Sequence, residues 1–220
     1  MQLTYINASP RGKSSNTEQH VHHFVKAYEE NEGCTCDQYY LNHYRKKLDE
    51  LSEIFWNSEN VLIGFPLYVD CVPGSLKGFM EELVKYKKDR KTRVAFFSQC
   101  GFPEAAHLRF MERYLEKYTK RIGCHYLGSI MKGGGEGLHI QPPVFWEKST
   151  SRLESLGKVF GKRGILDETL LTKLSNPEHL TMDQINGLVP YINENLWDAW
   201  MKDNDALEKS FDQPYKTVES

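Results

Sequence analysis

Leu3–Thr4–Tyr5–Ile6–Asn7, continued by Ala8–Ser9–Pro10–Arg11–Gly12–Lys13–Ser14–Ser15–Asn16–Thr17, is the stretch whose reading decides the fold. An apolar, β-prone run ends abruptly in a polar, turn-rich segment. Beyond it Val21, Phe24, Val25 and Tyr28 recur at i, i+3, i+4 and i+7, the spacing of one buried helix face. Strand, polar turn and amphipathic helix in that order open a βαβ unit.

The same alternation repeats outward. Residues 35–41 read as a second strand and 48–56 as a short helix. Residues 61–65 form a continuous apolar run, as expected of a central strand covered on both faces. Leu76, Phe79, Met80 and Leu83 mark the next helix, 94–97 a fourth strand, Leu108, Met111, Leu115 and Tyr118 a long helix, and 126–131 a fifth strand. Five strands alternating with helices predict an α/β fold: a doubly wound, five-stranded parallel sheet in the flavodoxin-like order 2-1-3-4-5. After Gly133–Gly134–Gly135 the pattern turns helical, from Ser149 to about Asp203, and ends in a polar tail. The expected organisation is a domain over residues 1–137 and a helical C-terminal extension over 138–220. The extension is too rich in Leu and Trp to stay in water, so it packs on the first domain or on a partner in a homodimer.

The formal net charge of −2 gives no footprint for nucleic acid, so any bound anion must be held by a local device. The first residues lack a basic segment followed by an apolar core, and no run of apolar residues is long enough to span a bilayer. No membrane insertion is therefore expected. Cysteines at 34, 36, 71, 100 and 124 are odd in number and scattered, which suits free thiols and a cytoplasmic address.

Three loops follow strands that the order 2-1-3-4-5 sets side by side. The first, residues 9–17, feeds a helix N-terminus, whose unpaired amides and partial positive charge attract phosphate. Its Ser15 and Glu18 have the spacing of a capping box. The second, Pro66–Leu67–Tyr68–Val69–Asp70–Cys71–Val72–Pro73–Gly74, is rigid and offers apolar side chains to a flat partner. The third, Ser98–Gln99–Cys100–Gly101–Phe102–Pro103, adds a glycine and a second aromatic. Each has a plainer reading, as a capped turn that binds nothing or an apolar loop packed beneath the C-terminal helices. Together, at the switch point of an open sheet, a phosphate cradle beside a flat apolar slot has the shape of flavin mononucleotide (FMN).

These segments resemble the flavodoxin-like NAD(P)H-dependent FMN reductases and related quinone reductases. Ser9–Pro10–Arg11 with Ser15–Asn16–Thr17 is similar to their phosphate loop. Pro66–Leu67–Tyr68 with Pro73–Gly74–Ser75–Leu76–Lys77 is similar to their isoalloxazine loop, and Ser98 to Ala105 to their third loop. The resemblance implies phosphate contacts from Ser9, Arg11, Ser15, Asn16 and Thr17. It implies ring contacts from Pro66, Leu67, Tyr68 and Val69, and from Ser98, Gln99, Cys100, Gly101 and Phe102. It implies NADH or NADPH as transient donor and a small-molecule acceptor: a quinone, flavin, azo or nitro compound. The stretch Tyr39–Tyr40–Leu41–Asn42–His43–Tyr44–Arg45 lacks the cysteines of the relatives that carry an iron–sulfur cluster, and no metal site is expected. No catalytic side chain is assigned; Tyr68 is the candidate ring stacker or proton donor. His20, His22 and His23 are expected on a solvated helix face. The rival readings are a non-enzymatic electron carrier that docks to a redox partner and a flavin-free interaction domain of the same fold.

Overall fold

The computed structural model describes residues 1–88, 91–136, 138 and 142–213. The expected boundary at Gly137 lies outside the described residues, as does the end of the polar tail from residue 214. The strands are β1 (Gln2–Asn7), β2 (Thr35–Tyr40), β3 (Asn60–Pro66), β4 (Arg93–Gln99) and β5 (His125–Lys132). All pair in parallel, in the order β2-β1-β3-β4-β5. The predicted sheet is the observed one. β3, the continuous apolar run, is buried along its whole length, whereas β2 at one edge is half exposed.

Alternate residues of each strand feed two cores, because successive side chains point to opposite faces. Leu3, Tyr5, Leu62, Ala95, Phe97 and Ile130 face α1 (Asn16–Glu29) and α5 (Pro143–Arg163). Ile6, Val61, Ile63, Phe65, Phe96 and Met131 face α2 (Leu48–Asn57), α3 (Gly74–Lys85) and α4 (Arg109–Arg121). The four residues read as the buried face of α1 are all at most 2% exposed.

α5 begins at Pro143, six residues before the predicted helical onset at Ser149. Proline at a first helical position suits a helix start, since its missing N–H has no intrahelical role there. α5 lies tightly on α1: a Cβ at Gly157 would run into the Phe24 carbonyl. Phe160 fills the seam beside Phe24 and Tyr28, with ring centroids 5.8 and 5.9 Å away. α6 (Glu168–Leu174) packs along β5. Arg109 anchors the chain after α6, with its guanidinium on both carboxylate oxygens of Glu178 at 2.6–3.1 Å.

These elements form one compact unit, Met1–His179, and the chain from Leu180 forms a second. The second unit opens with a reciprocal cap: Thr181 and Gln184 each hydrogen-bond the other's backbone at the start of α7 (Met182–Ile192). Pro190 lies within α7 and removes a ladder donor, and a wider π-type turn over Asn193–Trp197 leads into α8 (Asp198–Asp203). The Trp197 and Trp200 rings meet edge to face at 5.3 Å. Among the described residues no helix is long and apolar enough to cross a membrane.

Candidate active site

The three loops emerge together at the carboxyl end of the sheet, after the adjacent strands β1, β3 and β4. Backbone bonds knit them: Ala8 N–H to Gly64 O at 2.7 Å, Leu67 N–H to Gln99 O at 2.7 Å, and Cys100 N–H to Lys132 O at 3.1 Å. The ladder thus continues past the strands and fixes each loop relative to the next.

The first loop is organised by Asn7, a residue that sequence reasoning took as merely the end of β1. Its amide donates to Gly12 O, Ser15 Oγ and Glu18 Oε2, while its Oδ1 accepts the Ser9 N–H at 2.9 Å. Ser15 caps α1 by accepting the Glu18 N–H at 3.1 Å. Only that half of the expected capping box forms, because the Glu18 carboxylate is taken by Asn7 and by the Tyr40 hydroxyl. Asn16 and Thr17 supply the first helical amides, which have no intrahelical acceptor. The Asn16 side chain is committed elsewhere: its amide donates to Gly135 O at 2.7 Å. Arg11 is half exposed and reaches Glu136 at 3.9 Å.

The second loop folds as a tight hairpin in which Tyr68 and Cys71 exchange both backbone bonds at 3.0 Å. Val69 and Asp70 at its tip have φ of +49° and +57°. Such a turn ordinarily selects Gly or Asn, and a β-branched valine there is strained by about 1–3 kcal/mol. The turn lifts Tyr68 and Val69 outward, 45% and 98% exposed, while Pro66 is buried and Leu67 half-buried beneath them.

In the third loop Ser98, Gln99 and Cys100 are buried, and Gly101 and Phe102 are exposed. The Cys100 thiol points under the loop and donates to Phe102 O at 3.3 Å. Burial pushes it up to about 11, with Lys132 and this hydrogen bond opposing the rise, so it is a protonated brace and no nucleophile. One face of the Phe102 ring is covered by His107, stacked at 4.5 Å, and the imidazole lies 3.6 Å from Glu104. Sequence reasoning missed His107.

The glycine run after β5 closes the cluster. Gly134 N–H donates to Phe102 O at 2.6 Å and Gly135 N–H to Cys100 O at 2.8 Å. A Cβ at Gly135 would collide with the buried Gln99 amide, which would have to move aside. Through Gly135 O and Asn16 the third loop is therefore tied to the first.

His20 departs from expectation. It is fully buried, not solvated, with Nδ1 2.8 Å from Asn16 O and its ring against Phe97 and Trp146. Burial lowers it to about 4, opposed by the Asn16 bond, and it stays neutral at ordinary pH. His23 reaches Glu154 at 3.0 Å, and His22 is exposed as read.

Four buried side-chain atoms of these loops have no protein partner: Ser9 Oγ, Thr17 Oγ1, Ser98 Oγ and Gln99 Oε1. Buried polar atoms in native proteins nearly always have one, so these four, at the ends of β1 and β4 and the start of α1, mark the loop cluster as a candidate site, although Tyr5, His20, Asn42, Asn60 and Ser149 each carry such an atom as well.

The chain belongs to a family defined by a flavodoxin-like fold, whose model matches residues 1–144. No curated protein matches the sequence. Among solved structures it is similar to an NAD(P)H:quinone oxidoreductase from Methanothermobacter marburgensis, with a TM-score of 0.59 and 15% identity over 72% of this chain and 96% of the other. An FMN-dependent NADH-azoreductase from Bacillus anthracis, solved with FMN, gives 0.54 and 15% over 73% and 100%. A Trp repressor binding protein from Bacillus subtilis gives 0.56 and 16% over 70% and 99%. At such identities the likeness is one of fold.

Proposed function

We propose that this chain is an FMN-dependent oxidoreductase that passes electrons from NADH or NADPH to a small acceptor such as a quinone, flavin, azo or nitro compound. The observation that carries the reading is the set of unpartnered buried atoms at Ser9, Thr17, Ser98 and Gln99, beside the exposed aromatics Tyr68 and Phe102. These residues fit FMN. Ser9, Thr17, Arg11 and the amides of Asn16 and Thr17 make a cradle for one phosphate at a helix N-terminus, the Ser15 amide being held by Gly12 O. Pro66, Leu67, Tyr68 and Val69, with residues 98–102, offer a flat apolar slot and polar edges. Bound FMN supplies the hydride- and electron-accepting chemistry.

The protein's own part is positioning. Asn7 and the Gly134–Gly135 strap hold the cradle and slot at fixed separation, so little ordering entropy is lost on binding. Phe102 is already oriented by His107, with one ring face covered. On this reading the same face of the flavin, between the second and third loops, serves both donor and acceptor, so the nicotinamide leaves before the acceptor enters. Steady-state kinetics are then ping-pong, with parallel double-reciprocal lines. Heat-released cofactor that co-chromatographs with FMN supports the reading; a colourless protein that fails to take up FMN overturns it, and FAD in its place rejects the single-phosphate cradle.

A further inference from the structure

Glu136 stands where the first and third loops meet. Its carboxylate faces Arg11 at 3.9 Å, its carbonyl accepts the Asn16 amide at 3.3 Å, and its Cβ lies 3.4 Å from where a side chain on Gly101 would begin. It is carried there by the Gly134–Gly135 strap, whose bonds to Phe102, Cys100 and Asn16 leave it little freedom to move away. Arg11 is the cationic side chain of the cradle with a carboxylate already beside it. Lys13, the other cation of that loop, is exposed and makes no ion pair among the described residues.

Resting on the FMN reading, we propose that Glu136 is a charge-selectivity residue of the phosphate cradle: it competes with the ligand's phosphate for Arg11. A phosphate that binds Arg11 must share the guanidinium with a carboxylate held within a few ångströms, and like charges at that distance repel. Glu136 therefore lowers affinity in proportion to the negative charge that a ligand brings and leaves uncharged flavins unaffected. Both groups are half exposed, so solvent screens the effect, and its scale is that of a surface pair.

Glu136→Gln keeps the size and removes the charge. With apoprotein and fluorescence titration, the variant is expected to bind FMN about twofold to fivefold more tightly, while riboflavin, which has no phosphate, binds equally to both proteins. Inorganic phosphate, followed by thermal shift, should stabilise Glu136→Gln more than the native chain. The gain should vanish in an Arg11→Ala background. Unchanged FMN affinity overturns the proposal, and so does an equal gain for riboflavin, which would mean that the substitution acts on shape. If neither native protein nor variant binds any flavin, the FMN reading itself has failed; phosphate that stabilises both proteins equally then removes the role of Glu136 as well.

Discussion

Acid lability should trace to one histidine. His20 is 0% exposed, and burial lowers it from 6.5 to about 4. A group whose folded pKa is depressed binds fewer protons than the unfolded chain across that interval. Stability is thus intact above the unfolded value and lost as pH falls from 6.5 toward 4. At 1.36 kcal/mol per unit the full loss is about 3 kcal/mol, and going from pH 8 to pH 5 costs about 2 kcal/mol from this residue alone. His20→Phe retains a flat ring against Phe97 and Trp146 and cannot titrate. Urea unfolding of both proteins at pH 8, 6.5 and 5 isolates the contribution, since everything common to the two proteins cancels in the difference. The variant should be less stable at pH 8, having lost the bond to Asn16 O, but its pH dependence should be shallower by about 2 kcal/mol. Parallel stability–pH curves would show that His20 is not the acid-sensitive group.

Phe160→Ala empties the seam between α1 and α5 and should cost about 3–5 kcal/mol in chemical denaturation, with FMN stoichiometry preserved in the fraction that stays folded. A loss below about 1 kcal/mol would mean that α5 is not integral to the first unit. Phe102→Ala should slow flavin reduction by nicotinamide about tenfold, about 1.4 kcal/mol at the transition state, while FMN affinity falls less because the phosphate cradle is untouched. Equal losses in both quantities would place Phe102 in cofactor retention alone.

The sheet was legible because its signals are local. Apolar strands alternate with helical periodicity, and the loops carry their turn residues openly. The three loops of the candidate site stood out for the same reason. Their internal bonding was not: Asn16 meets Gly135 across more than half the chain, and nothing near either residue announces the other. Cys100 was assigned to the ring slot by resemblance alone, and nothing in the sequence shows that its thiol turns under the loop to backbone carbonyls. His20 was misread although a signal existed. It lies one turn before Phe24 and so on the same helix face, but its polarity outweighed its phase. The start of α5 was missed because its first turns expose Val144 and Phe145 and so lack the buried-face periodicity that begins at Ser149.

The central claim is that this chain carries FMN and that a nicotinamide reduces it there. Anaerobic stopped-flow mixing of the FMN-loaded protein with NADH, and separately with NADPH, follows the flavin absorbance near 450 nm with no acceptor present. The account predicts bleaching by at least one of the two nucleotides, at a rate no slower than steady-state turnover with a quinone, and return of the colour when the quinone is added. Flavin that stays oxidised for minutes with both nucleotides would contradict the enzyme reading and leave an electron carrier that depends on a protein partner.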